Sequence, residues 1–229
     1  AERVQAVPNG VDPDRIQAAA TPPAGTDSPL PSGRDYLACV ATFEHKKGQD
    51  GLLRAFAGLA SDYPDLDLVL AGRRAGEWEA YRELAAELGL AQRVHFLPDL
   101  AHGEALGVIR EARLFVLPSR YEPFGIVLLE AGVLGVPVVA SQVGGIPQVV
   151  RDGVDGLLVP PADAGALETG LRTLLADPQW ARRLAGSLHS RVLGEFSWER
   201  TAERYLDLAG AAPPEADLNG RKTVGWRRT

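Results

Sequence analysis

Between Tyr36 and Ala140 five short apolar runs alternate with four amphipathic segments, and this alternation limits the chain to very few folds. The runs are Tyr36–Thr42, Leu66–Ala71, Arg93–Leu97, Leu114–Pro118 and Val136–Ala140. Helical periodicity falls on Gln49–Ser61, Gly76–Gly89, His102–Ala112 and Pro123–Leu134. A strand apolar on both of its faces must be covered on both, which is the condition of a parallel sheet wound with helices on either side. Gly156–Val159 adds a sixth strand, Ile146–Arg151 a helical turn, and Asp163–Ala176, Pro178–Glu195 and Trp198–Ala209 three further helices. Asp163 and Ser197 stand as N-caps of the first and last of these. The fold class is therefore α/β, a doubly wound parallel sheet of about six strands.

The 229 residues amount to roughly one and a half domains. Residues 1–34, with six prolines, read as an irregular arm or linker; 35–196 read as the folded domain, 197–210 as a terminal helix, and 211–229 as a flexible basic tail. The chain starts at Ala1 and has no methionine, so it reads as a fragment. The net charge is −6, and the last nine residues contribute +4, leaving −10 on the rest. That balance gives no reason to expect nucleic acid as a partner. Cys39 is the only cysteine, which excludes an internal disulfide and points to a reducing, cytoplasmic setting. The longest uncharged apolar run, Ala131–Ile146, is broken by glycines and a proline and does not suit a membrane span. His45, His95, His102 and His189 are irregularly spaced, so no metal site is expected. Trp78, Trp180 and Trp198 fall within helical patterns and read as packing residues.

Open parallel sheets bind ligands beyond the carboxyl ends of their strands, and three loops there carry chemistry. Thr42-Phe43-Glu44-His45-Lys46-Lys47-Gly48 offers two cations, a glycine and a helix start, a combination suited to phosphate or to a plain solvated loop. It is neither a Walker A loop nor a Gly-x-Gly-x-x-Gly turn. Pro118-Ser119-Arg120-Tyr121-Glu122-Pro123-Phe124-Gly125 places Pro123 where a first helical residue belongs. The amides of Phe124, Gly125 and Ile126 would then form an anion hole. Ser119 lacks the nucleophile elbow of a hydrolase. Glu130 lies eight residues after Glu122; on one helix that is about 12 Å along the axis and about 80° in azimuth, so the two acids could grip two ends of one long ligand. Glu130 sits on an apolar face, where a carboxylate needs a partner: an arginine in a packed helix, or the diol of a ribose. In Ser141-Gln142-Val143-Gly144-Gly145-Ile146-Pro147-Gln148 the paired glycines suit either ligand approach or a tight turn.

Taken in order, Pro8-Asn9-Gly10-Val11-Asp12, the run Pro118 to Ala131 with its Pro-Ser-x-x-Glu-Pro-Phe-Gly and second glutamate, Gly144-Gly145-Ile146-Pro147, and Asp152 to Pro160 resemble the C-terminal half of a glycosyltransferase family 4 enzyme. The resemblance runs from about Val7 to Ala209. It implies the GT-B architecture, two Rossmann-like domains facing across a cleft, with the nucleotide-sugar donor held mainly by the C-terminal one. It further implies retention of anomeric configuration without a metal or cofactor, and a hexosyl donor for which a UDP-sugar is preferred. The acceptor sugar, lipid or glycan would come through the N-terminal domain, with possible peripheral membrane association of the longer enzyme. By position, Lys47 would contact the diphosphate and Glu122 the donor-sugar hydroxyls, these two being the catalytic candidates. The amides near Phe124, Gly125 and Ile126, with Pro123 beside them in the donor site, would receive phosphate and sugar, Glu130 the ribose, and the backbone around Leu97 and Pro98 the base edge. Thr42 stands where many members carry an arginine, a charge Lys46 would supply, and Gln148 where many carry a glutamate. The helix at 197–210 would cross back to the other domain. The isolated chain is expected to be inactive. The alternatives are another GT-B enzyme, an epimerase or a phosphorylase, and a non-catalytic nucleotide-binding or docking module.

Overall fold

A computed structural model describes residues 7–20 and 33–210. Six strands, β1 Asp35–Val40, β2 Leu66–Gly72, β3 Val94–Pro98, β4 Leu114–Leu117, β5 Val138–Ser141 and β6 Leu157–Val159, form one all-parallel sheet in the order β3-β2-β1-β4-β5-β6. The winding reverses between the neighbours β1 and β4, the place where a doubly wound sheet opens a crevice.

Strand periodicity puts alternate residues on opposite faces, and here both faces are buried. Tyr36, Ala38, Val69, Ala71, Phe115, Leu117, Val138 and Ala140 enter one core; Leu37, Cys39, Leu68, Leu70, Leu114, Val116 and Val139 enter the other. The first core is roofed by α1 Pro13–Ala19, α4 His102–Arg110, α5 Ile126–Val133 and α6 Ile146–Val149, together with the C-terminal half of α8 Pro178–Glu195. The second is roofed by α2 Gln49–Leu59, α3 Trp78–Glu87 and α7 Ala164–Ala176, with the start of α8. Phe43, Phe56 and Phe115 are fully buried, each contributing about 2–3 kcal/mol of transfer free energy.

The opening segment departs from the expected irregular arm. Asp12 caps α1, its carboxylate accepting from the Arg15 amide at 2.9 Å, and Pro13 occupies the first turn. Ile16 is buried, and the Gln17 side chain donates to the Val133 carbonyl at 2.7 Å. Arg110 donates to the carbonyls of Ala20 and Gln17 at 2.6 and 2.5 Å. Val11 pairs with the residues just before α9 Trp198–Ala209, its amide donating to Phe196 at 2.8 Å and its carbonyl accepting from Trp198 at 3.1 Å. Gly10 is required by this contact, since a Cβ there would lie 2.6 Å from the Ser197 carbonyl oxygen. Trp198, expected inside a packed helix, is 52% exposed, and Tyr205 and Leu208 on the same helix stripe are exposed as well. The basic tail at 211–229 lies outside the described residues. Among the described residues no helix is long and apolar enough to cross a membrane.

Candidate functional site

The loop after β1 is fastened at three points. Phe43 packs edge-on against Trp78 with ring centres 4.8 Å apart and lies 6.2 Å from Phe96, and its amide donates to the Arg73 carbonyl at 3.0 Å. The buried Gln49 side chain donates to the Thr42 carbonyl at 3.0 Å. Residues His45–Lys47 then form one 3-10 turn that ends at Gly48 with φ 71°. A Cβ on Gly48 would stand 2.1 Å from the Pro118 carbonyl oxygen, so only glycine lets this turn lie against the loop after β4.

Arg120 locks the two loops together. Its amide donates to the Lys46 carbonyl at 2.8 Å, its Nη1 to the His45 carbonyl at 2.9 Å, and its guanidinium meets both Asp50 oxygens at 2.7 Å. Burial raises the Asp50 pKa, but the Arg120 hydrogen bonds and charge, together with backbone amides at Asp50 and Gly51, hold the carboxyl below its ordinary range. The clamp brings Lys47 Nζ to 2.7 Å from Glu122 Oε2, with only 18% and 10% of the two side chains exposed. Ser119 Oγ donates to the same Glu122 oxygen at 3.4 Å.

Helix α5 starts later than the sequence suggests. Gly125, at φ 88°, is its N-cap and Ile126 its first residue, so Pro123 is not the first helical position. Glu122 therefore stands on a loop outside the helix, and the helical spacing expected between Glu122 and Glu130 does not apply. The Leu128 amide bonds back to the Gly125 carbonyl at 2.8 Å, which leaves the amides of Ile126 and Val127 at the helix N-terminus. The paired glycines after β5 serve backbone packing: a Cβ on Gly144 would lie 2.0 Å from the Glu122 carbonyl oxygen, and one on Gly145 2.3 Å from that of Pro123.

These elements enclose an open cleft of about 410 Å³ above the carboxyl ends of β1 and β4. Thr42, Lys47, Glu122, Pro123, Phe124, Gly125 and Ile126 all line it. Asn9, which the sequence offers only as part of the Pro8–Asp12 motif and with no role at the site, lines it too. Lys46, half exposed, pairs with Glu44 at 2.5 Å, and neither it nor Glu130 is among the residues lining the cleft. Leu97 is buried in the core and Pro98 borders a separate groove beside Arg74 and Trp78, both at the end of the edge strand β3. Glu130 lies one turn beyond Ile126 on the same helix face, about 6 Å further along the axis. Its partner is His102, the first residue of α4, whose Nε2 is 2.7 Å from Glu130 Oε1; it is not the arginine considered from the sequence. Among the described residues no three or more His, Cys, Asp and Glu side chains gather as a metal site.

The switch point of this doubly wound sheet thus gathers Lys47, Glu122 and the N-terminus of α5 around one cleft. The chain belongs to the family described as glycosyl transferases group 1, which matches residues 26–187. It is 36% identical to the D-inositol 3-phosphate glycosyltransferase of Nocardia farcinica over 92% of the chain and 48% of that relative. Among solved structures, the sucrose-phosphate synthase of Thermosynechococcus elongatus superposes with a TM-score of 0.76 at 34% identity, covering 92% of this chain and 53% of that one. HepE of Anabaena, solved in complex with UDP-glucose, superposes with a TM-score of 0.71 at 26% identity over 78% of this chain and 49% of that one. The chain spans about half the length of the relatives it matches.

Proposed function

We propose that this chain is the donor-binding half of a metal-independent glycosyltransferase. It would move a hexosyl group from a nucleoside diphosphate sugar, preferably a UDP-sugar, to an acceptor with retention of configuration, in the cytoplasm. The observation that carries the reading is the 2.7 Å Lys47–Glu122 pair beside the α5 N-terminus in the switch-point cleft.

The Lys47 ammonium has three donors and gives one to Glu122, so it can also meet a diphosphate oxygen. With the Ile126 and Val127 amides it would oppose the charge that develops on the leaving diphosphate, the step at which fixed donors contribute most to rate. Glu122, held by Lys47 and Ser119, would accept hydrogen bonds from donor-sugar hydroxyls at the mouth of the cleft. Glu130, one turn further along α5, would take the ribose diol, and the end of β3 the base. HepE bound to UDP-glucose supports this class of ligand for the fold.

The acceptor and the closing wall of the cleft would come from a second domain, and the exposed Trp198, Tyr205 and Leu208 of α9 suit contact with it. Calorimetric titration of the chain with UDP, GDP and ADP tests the reading: saturable binding of one of them is expected. Failure of all three to bind would overturn it for this chain. Sugar transfer from UDP-glucose by the 229 residues alone would contradict the assignment of only half the machinery to them.

A further inference from the structure

His102 lies outside every motif that carries the reading above, yet among the described residues it is the side chain that hydrogen-bonds the Glu130 carboxylate. The Glu130 side chain is 15% exposed in a helix whose neighbouring residues are all apolar, and its carboxylate cannot donate, so the His102 Nε2–H donates to Oε1 at 2.7 Å. His102 itself is fixed from behind. The loop that delivers it begins where Asp99, at φ 57°, donates its amide to the Gly72 carbonyl at 2.9 Å and accepts from the Arg74 amide at 3.0 Å. It ends where the Ala101 amide donates to the Glu104 carboxylate at 2.9 Å, closing the first turn of α4. The imidazole is thus a tether from the end of β3 to the second turn of α5.

Glu130 has three side-chain torsions, and a glutamate left without a partner spreads over several rotamers whose loss must be compensated on binding. Holding Oε1 selects one of them and leaves lone pairs on Oε1 and Oε2 to accept from a diol. We propose that His102 is a positioning residue for nucleotide recognition: it pre-orients Glu130 for the two ribose hydroxyls and so links the base end of the site to its ribose end. This rests on the donor-binding reading above.

The experiment is calorimetry on the full 229-residue chain with UDP (or GDP or ADP, if one of those is the nucleotide bound) and with its 2′,3′-dideoxy counterpart. The proteins are wild type, Glu130→Ala, His102→Ala, His102→Gln and the His102→Ala/Glu130→Ala double variant. His102 is 68% exposed, so its substitution is compatible with folding, which a matching thermal melt verifies. His102→Ala is expected to weaken the ribonucleotide about three- to tenfold, the loss of one charge-assisted hydrogen bond. The same variant is expected to leave the dideoxynucleotide unchanged, and His102→Gln, which keeps a donor, to restore part of the loss. The double variant should be no weaker than Glu130→Ala, because the two residues act through one contact. A merely structural role would weaken both nucleotides equally. If Glu130→Ala weakens the ribonucleotide and His102→Ala does not, the proposal falls and the donor site stands. If Glu130→Ala has no effect either, the ribose assignment falls and takes the proposal with it.

Discussion

Asp155 is fully buried, and its removal should be the most damaging single-carboxylate change in the domain. Its Oδ2 accepts from the Arg151 amide at 3.1 Å, Arg151 Nε at 2.6 Å and Arg191 Nη1 at 3.1 Å; its Oδ1 accepts from Arg151 Nη2 and Ser187 Oγ, both at 2.8 Å. Arg191 also donates to the carbonyls of Val149 and Gln148 at 3.1 and 3.0 Å, so one carboxylate ties the loop after α6 to α8. Burial pushes the Asp155 carboxyl up, but the hydrogen bonds from Arg151, Ser187 and Arg191 outweigh it and lower the pKa from 3.8 to about 2. That difference amounts to about 2 kcal/mol at neutral pH. Asp155→Asn should lose roughly this much, and Asp155→Ala, which leaves the mostly buried Arg191 without its carboxylate, about 3–5 kcal/mol. At about 2–4 °C per kcal/mol for a domain of this size, the Asn variant should melt about 4–8 °C below wild type at pH 7. The sign follows from the lowered pKa: the stabilisation is complete above the unfolded value near 3.8 and is lost as pH falls toward 2. The gap in melting temperature between wild type and Asp155→Asn should therefore close between about pH 4 and pH 2, followed by circular dichroism melts. Equal melting temperatures at pH 7, or a gap undiminished at pH 2, would refute the assignment of this stability to the ionised carboxylate.

Two further outcomes follow from particular contacts. Gly48→Ala puts a methyl 2.1 Å from the Pro118 carbonyl at φ 71°, so it should destabilise the domain by about 2 kcal/mol in a denaturant titration and weaken nucleotide binding by displacing Lys47; unchanged binding would separate Lys47 from the site. Cys39 is buried and burial pushes its thiol up to about 12, so a thiol-specific chromogenic reagent should label it only at the rate of unfolding; rapid native-state labelling would contradict the packing of β1.

The parts of this molecule that were legible in the sequence are those set by local pattern. The near-continuous apolar runs marked the six strands because both faces of the sheet are buried, and Asp163 and Ser197 marked their helix starts because capping is a local hydrogen bond. Helix α1 carried a readable sign, Asp12 followed by Pro13, that the surrounding prolines obscured. The late start of α5 was hidden because Pro123 offers a first helical position, while the left-handed turn at Gly125 depends on the loop after β5 packing beneath it. Neither the Arg120–Asp50 clamp, 70 residues apart in sequence, nor the His102–Glu130 tether, 28 apart, follows from spacing, since both exist only once the strand order sets two loops side by side. For the same reason Lys46 and Lys47, adjacent in sequence, part company: the 3-10 turn sends one to Glu44 and the other to Glu122.

The proposed function puts a nucleoside diphosphate across the β1–β4 switch point with its diphosphate at Lys47. Amide chemical-shift mapping of the labelled chain during titration with UDP, GDP or ADP tests it most directly. Saturable shifts are expected at Thr42–Gly48, Glu122–Glu130 and the Leu97–His102 stretch, all lost or weakened in Lys47→Ala. Shifts clustered at the opposite end of the sheet, around Arg34, Pro64 and Arg113, or shifts indifferent to Lys47→Ala, would contradict it.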